Sequence, residues 1–146
     1  MILIFWLILL VDIVILMLVI WNTIGWPEPS LDHTPLTSGL CSVLVPARNE
    51  AENIKECLQS VLSQGDMVGE VIVCDDQSED GTAEIVRGMA RIDSRVRMIV
   101  SNGPPSGWGG KSHACALLAA EARCEWLLFL DADARMCKDG VSRMIT

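Results

Sequence analysis

Two aspartates, Asp131 and Asp133, close the apolar run Trp-Leu-Leu-Phe-Leu, with one small residue between them. In an extended chain residues i and i+2 project to the same side, so the pair predicts two carboxylates aimed at one point. With little basic charge nearby they repel unless a cation lies between them. Hard oxygen donors suit Mg2+ or Mn2+, which complete their shells with substrate phosphates. The bland alternative is a solvated strand-to-turn junction, where Asp is common. Asp75 and Asp76 end a second apolar run. One of these carboxylates can accept hydrogen bonds from a base or ribose, or the pair can cap the turn built by Ser78, Asp80 and Gly81. Lys111 follows Gly109-Gly110 and opens a predicted helix, where backbone N–H groups and a lysine charge form a natural anion site. Its bland alternative is an ordinary surface lysine.

Other chemistries fail on single positions. The Gly-Gly-Lys-Ser stretch suggests a phosphate-binding P-loop, but the position that needs the first glycine is Pro105, which lacks an N–H. A phosphatase of the D-x-D-x-[TV] type would need Thr or Val where Arg135 stands. His33 and His113 have no evident partner in the sequence and read as structural. Two Phe, no Tyr and no basic run make nucleic acid a poor partner.

These residues need elements to carry them. Leu40–Val45 reads as a short strand closed by Pro46, and Asn49 as the N-cap of a helix with Glu52 as its capping-box partner. That helix lines up Ala51, Ile54, Leu58, Val61 and Leu62 and stops at Gly65. Glu70–Cys74 is a second strand, a helix follows with Ile85, Val86 and Met89, and Val96–Val100 is a third strand. A Gly/Pro loop, Ser101–Gly110, leads to a helix at Lys111–Ala122 and a fourth strand at Trp126–Leu130. Strand and helix alternate, which predicts an α/β fold with a mostly parallel sheet and helices on both faces. Ligands in such sheets bind beyond the carboxyl ends of the strands. Pro46–Arg48, Asp75 with Asp76, the Gly/Pro loop, and Asp131 with Asp133 all fall at such ends. An open last strand also exposes unpaired backbone groups and predicts association.

The 146 residues carry a net charge of −8 and are 51% hydrophobic. The apolar excess is concentrated at the start, where residues 1–21 hold one charged residue, Asp12. Twenty-one helical residues rise roughly 31 Å, which matches a bilayer core. No Lys or Arg precedes Arg48, and Trp21, Trp26 and Pro27 follow the run, so it reads as an uncleaved single-pass anchor at 1–26 rather than a signal peptide. Asp12 sits near its middle, either tolerated there or facing a partner membrane helix. Residues 27–39 read as a linker and 40–146 as one domain. Six cysteines include no C-x-x-C and no zinc-like spacing. They read as buried thiols in a reducing compartment, which places the domain on the cytoplasmic side of the cell membrane.

The stretches SVLVPARNEAENIKECLQSVLSQ, EVIVCDDQSEDGTAEIV, PPSGWGGKSHAC and WLLFLDADARM, in this order, resemble the inverting family 2 glycosyltransferases of GT-A fold. The likeness covers about residues 40–137. The P-x-G-W-x-G-K loop is most similar to membrane-bound members that glycosylate carotenoid or hopanoid-type lipids, and an apolar acceptor suits an enzyme tethered at a bilayer.

The resemblance implies a nucleotide-diphosphate-sugar donor. It places Pro46, Ala47 and Arg48 along the nucleotide, Asp76 on the base, Lys111 near the diphosphate, and Asp131 and Asp133 on a Mg2+ or Mn2+ ion. Glu50 matches a frequent acidic position at the start of the first helix, where it reads as structural. Inversion also needs a carboxylate general base. In the family it comes well after the D-x-D, and it has no counterpart here, so the resemblance implies the donor-binding part with the C-terminal part of the fold missing. The alternative is a catalytically silent nucleotide-sugar-binding module.

Overall fold

The computed structural model describes residues 2–24 and 39–145. Trp26, Pro27, His33 and the predicted linker up to residue 38 lie outside the described residues. The chain divides into two compact units, one carrying the first helix and the other everything from the first strand onward. The first helix, α1 (Ile2–Ile24), is long and apolar enough to cross a membrane, and its described side chains, Asp12 among them, are exposed.

The second unit runs β1 (Cys41–Ala47), α2 (Ile54–Leu62), a 3-10 turn (Gly65–Met67), β2 (Val68–Asp75), α3 (Thr82–Ile92), β3 (Val96–Val100), α4 (Gly110–Glu121), β4 (Trp126–Phe129) and α5 (Gly140–Ile145). The four strands form one sheet in the order β3-β2-β1-β4, and every pair is parallel. This is the predicted α/β fold. Alternation along β1 and β2 divides the core in two. Val43, Val45, Val71 and Val73 pack with Ile54, Leu58 and Val61 of α2, Val86 of α3 and Val141 of α5. Leu44, Ile72 and Cys74 pack on the other face with Ala114 and Leu118 of α4. Each fully buried aliphatic side chain contributes about 1.5–3 kcal/mol. All six cysteines are free thiols, but only Cys41, Cys57 and Cys74 are buried as expected, their burial pushing each up to about 11, while Cys115 and Cys124 are partly exposed and Cys137 is exposed.

Three local expectations are corrected. Pro46 does not close β1 but lies inside it, paired with Cys74. Its missing N–H belongs on the β4 side, two residues past Leu44, whose carbonyl takes the N–H of Leu130 at 3.0 Å. β4 has already ended there, so no ladder bond is lost. Asn49 is not an N-cap. It adopts φ 57°, a left-handed conformation that Asn tolerates, and its side chain accepts the Glu79 N–H at 2.9 Å. The helix begins at Ile54, after a turn closed on the Glu50 carbonyl. The short α5 has no counterpart among the predicted elements.

The amino end of the sheet is tied by one buried carboxylate. Glu70 accepts from Ser42 Oγ at 2.6 Å, from the Arg123 N–H at 2.7 Å and from Arg97 Nε at 3.1 Å. Ser42 Oγ in turn accepts the Cys124 N–H at 3.1 Å. Burial alone would raise the Glu70 carboxyl, but these hydrogen bonds and the Arg97 charge outweigh it and hold it below its ordinary value. β4 is an outer strand on which Trp126, Leu127 and Phe129 are about half exposed, as expected for an open edge.

Candidate functional site

The carboxyl ends of β1, β2 and β4 and the start of α4 surround a cleft of about 400 Å3. It lies where the strand order reverses between β1 and β4, the place at which open α/β sheets take ligands. The cleft brings together Pro46, Ala47, Arg48, Asp76, Lys111, Asp131 and Asp133, all seven residues selected from the sequence. Glu50, Gly110, Ala114 and Ala132 complete its wall.

Asp76 is the most constrained of these groups. Its N–H bonds the Ala47 carbonyl at 2.9 Å, which fixes the chain just past β2. The side chain is only 5% exposed, yet its Oδ1 has no hydrogen-bond partner. An unpaired buried acceptor costs about 1–3 kcal/mol, so it marks a place prepared for a donor from outside. A Cβ on Gly110 would stand 2.7 Å from Asp76 Oδ2, and only glycine lets α4 begin this close to the carboxylate. The first turn of α4 has no side-chain cap, so its positive end is open at the cleft. Asp75 also carries an unpaired buried Oδ1, but it belongs to the opposite face of the sheet and does not line the cleft.

Asp131 and Asp133 reach the cleft differently from the extended geometry expected. The chain turns at once after β4, and the Ala134 N–H bonds the Asp131 carbonyl at 3.0 Å. Ala132, 3% exposed, pins the turn into the core and leaves the two flanking carboxylates on the rim. Lys111 Nζ lies 2.7 Å from Asp131 Oδ1, and this carboxylate holds the lysine above its ordinary value. Among the described residues no cluster of three or more Asp, Glu, His or Cys side chains forms a ready-made metal cage. Two carboxylates fit a hard cation that keeps waters and takes its remaining ligands from phosphates, so the donor set suits Mg2+ or Mn2+.

The loops behind the cleft are bolted to each other. The N–H groups of Asn49, Glu50 and Ala51 donate to Ser78 Oγ, Thr82 Oγ1 and Asp80 Oδ2, each at 2.9 Å. Hydrogen bonds from Thr82 and the Ala51 N–H hold the Asp80 carboxyl below its ordinary value. Glu50 keeps the structural role expected of it, accepting from Asn53 Nδ2 at 3.0 Å, but it also lines the cleft. His113 does have partners. Its Nδ1 lies 3.4 Å from Ser101 Oγ and its ring meets Trp108 edge-on at 6.2 Å, which ties the Gly/Pro loop to α4. Sequence reasoning did not single out Gly110 as a site residue. The Gly-Gly pair before Lys111 was the available signal.

Comparisons with known proteins agree with this geometry. The family model described as "Glycosyl transferase family 2" matches residues 42–146. The 4,4'-diaponeurosporenoate glycosyltransferase of Staphylococcus haemolyticus (strain JCSC1435) is 41% identical over 100 residues, covering 68% of this chain and 26% of that protein. The protein of the same name from Staphylococcus aureus (strain USA300) is 34% identical over 119 residues, or 80% of this chain and 28% of that one. The chain thus spans about a quarter of the length of the curated relatives it matches. Among solved structures, the mannosyltransferase PcManGT from Pyrobaculum calidifontis, in complex with GDP-Man and Mn2+, superposes with a TM-score of 0.64 at 27% identity, covering 87% of this chain and 37% of its own. Staphylococcus aureus TarS in complex with UDP gives 0.57 at 28% identity, covering 73% and 31%. Strand order, cleft position and matched sequence converge: this chain belongs to glycosyl transferase family 2.

Proposed function

We propose that residues 40–146 bind the nucleotide-diphosphate-sugar donor of a membrane-anchored glycosyltransferase, with residues 1–26 as the anchor, residues 27–39 as the linker and the domain on the cytoplasmic side. One observation carries the reading. A buried carboxylate with an unpaired oxygen, Asp76, shares a cleft with Lys111, Asp131 and Asp133 at the switch point of the sheet. Asp76 accepts from the base, Pro46 to Arg48 line the nucleotide, and the open end of α4 with Lys111 receives the diphosphate. Neutralising the leaving diphosphate is the chemistry that a Mg2+ or Mn2+ ion held by Asp131 and Asp133 supplies when bound. Lys111, paired with Asp131, is then free to turn toward the phosphates.

The acceptor is proposed to be an apolar lipid, by analogy with the 4,4'-diaponeurosporenoate glycosyltransferases and in keeping with a tethered enzyme. Transfer with inversion requires a carboxylate to deprotonate the acceptor hydroxyl, a role we assign to none of the carboxylates of this cleft.

The test is a thermal-shift panel of UDP- and GDP-sugars on the full chain, with and without Mn2+. A donor at a hundred times its Kd adds about 2.7 kcal/mol to the folded state. This gain is expected only with Mn2+ and is lost in Asp131→Ala. Equal stabilisation after chelation, or none from any donor in a folded sample, overturns the reading.

A further inference from the structure

We infer that Ser60 of α2 and Gln64, in the turn just after that helix, are positioning residues for the Asp131–Asp133 turn, fixing from behind the backbone that presents both carboxylates. Cys57 and Ser60 stand three residues apart and share one face of α2, and Gln64, in the turn that follows, reaches back to the Ser60 carbonyl through Nε2 at 3.1 Å. Each meets the segment that follows β4. Cys57 Sγ donates to the Asp131 carbonyl at 3.7 Å, and Ser60 Oγ accepts the Met136 N–H at 3.0 Å. Gln64 holds two points at once: its Nε2 donates to the Cys137 carbonyl at 2.9 Å and its Oε1 accepts the Val141 N–H at 3.2 Å. A fifth contact extends the series outward, where Arg135 pairs with Glu56 at 3.0 Å.

The segment between β4 and α5 has no strand or helix of its own to set its path. Apart from two turns of its own, it is held at intervals by side chains of α2 and by Gln64 just beyond that helix, and α2 is itself buried against β1 and β2 through Ile54, Leu58 and Val61. The rail therefore carries the rigidity of the core to a turn that lacks it. Both carboxylates lie at the start of that segment. Their separation and direction are set by where Met136, Cys137 and Val141 are held, together with buried Ala132. Groups outside the ligand set that fix the ligands' orientation commonly change metal affinity by about 10–100-fold when removed.

This inference rests on Asp131 and Asp133 being cation ligands, and the test separates the two. Mn2+ binding to the full chain in detergent is measured by electron paramagnetic resonance, well below the melting temperature of each variant. Wild type and Asp131→Ala set the scale. Ser60→Ala and Gln64→Ala are expected to bind Mn2+ about tenfold more weakly. Ser60→Thr, which keeps the hydroxyl, is expected to restore the wild-type affinity. A purely structural role would lower the melting temperature and leave the Mn2+ affinity of the folded protein unchanged, and that result overturns the inference. Should Gln64→Ala fail to fold, the Ser60→Ala and Ser60→Thr pair decides by the same criterion. A wild type that binds no Mn2+, or binds it as Asp131→Ala does, overturns the reading of the site, and the inference falls with it. Wild-type binding that ignores Ser60 and Gln64 overturns the inference alone.

Discussion

The two ends of the sheet use the same residue types to opposite effect. At the amino end one carboxylate, Glu70, is buried and saturated, with Ser42, Arg97 and the Arg123 N–H around it. At the carboxyl end Asp75 and Asp76 are as deeply buried, and each keeps an oxygen with no partner. Four carboxylates and only two cations, Arg48 and Lys111, line the cleft there. A closed polar network serves stability, whereas an open one holds acceptors in readiness at a cost to stability. Together with a place on the cleft wall, which Asp76 has and Asp75 lacks, the difference sets Asp76 apart from the structural Glu70.

The largest effect should come from breaking the closed end. Glu70→Ala leaves Ser42 Oγ and the Arg123 N–H without their acceptor, takes from Arg97 one of its two carboxylate partners, and should lower unfolding free energy by about 3 kcal/mol, read from chemical denaturation. Donor affinity of the folded fraction should not move, and a large loss of affinity would mean the two ends are not independent. The open end should respond with the opposite sign. Asp76→Asn removes a buried charge that lacks a full set of partners, so it should stabilise the fold by about 1 kcal/mol while weakening binding of a nucleoside diphosphate about tenfold or more. A destabilised Asp76→Asn protein with normal binding would place Asp76 with Glu70 as a structural acid. The smallest effect concerns pH. The Glu70 carboxyl lies below its ordinary 4.5 in the folded protein. Its contribution is therefore complete above that value and is lost as the pH falls through the lower folded value. Acid unfolding of Glu70→Gln should show a shallower pH dependence below 4.5 than wild type. Identical curves would remove Glu70 from the acid response.

Much of this was legible because it rests on local pattern. β3 was predicted residue for residue as Val96–Val100, and α4 within one residue at each end, since apolar periodicity and the flanking Gly and Pro residues set those bounds. Six of the seven cleft residues were found because strand ends are recognisable and a parallel sheet gathers them on one edge, and Lys111 because a Gly-Gly pair opens its helix. What escaped detection depends on distant partners. Asn49 looked like a cap because its residue type fits one, but its hydrogen bonds run to Ser78 and Glu79, about thirty positions away. The Glu70 network joins four separate segments and leaves no periodic trace. The short α5 follows no apolar period, and Gln64 accepts the N–H of its second residue, Val141. The turn at Asp131–Asp133 replaced the expected extended geometry because the chain leaves the sheet immediately after β4.

Pro46 gives this arrangement its permanence. With no N–H at that position, β1 has no donor to offer β4 beyond Leu44, and the pairing of the two strands stops there. The mouth of the cleft is then a gap that no N–H of Pro46 can bridge. A ligand arriving there finds a vestibule already standing, held ajar by the covalent ring of one residue.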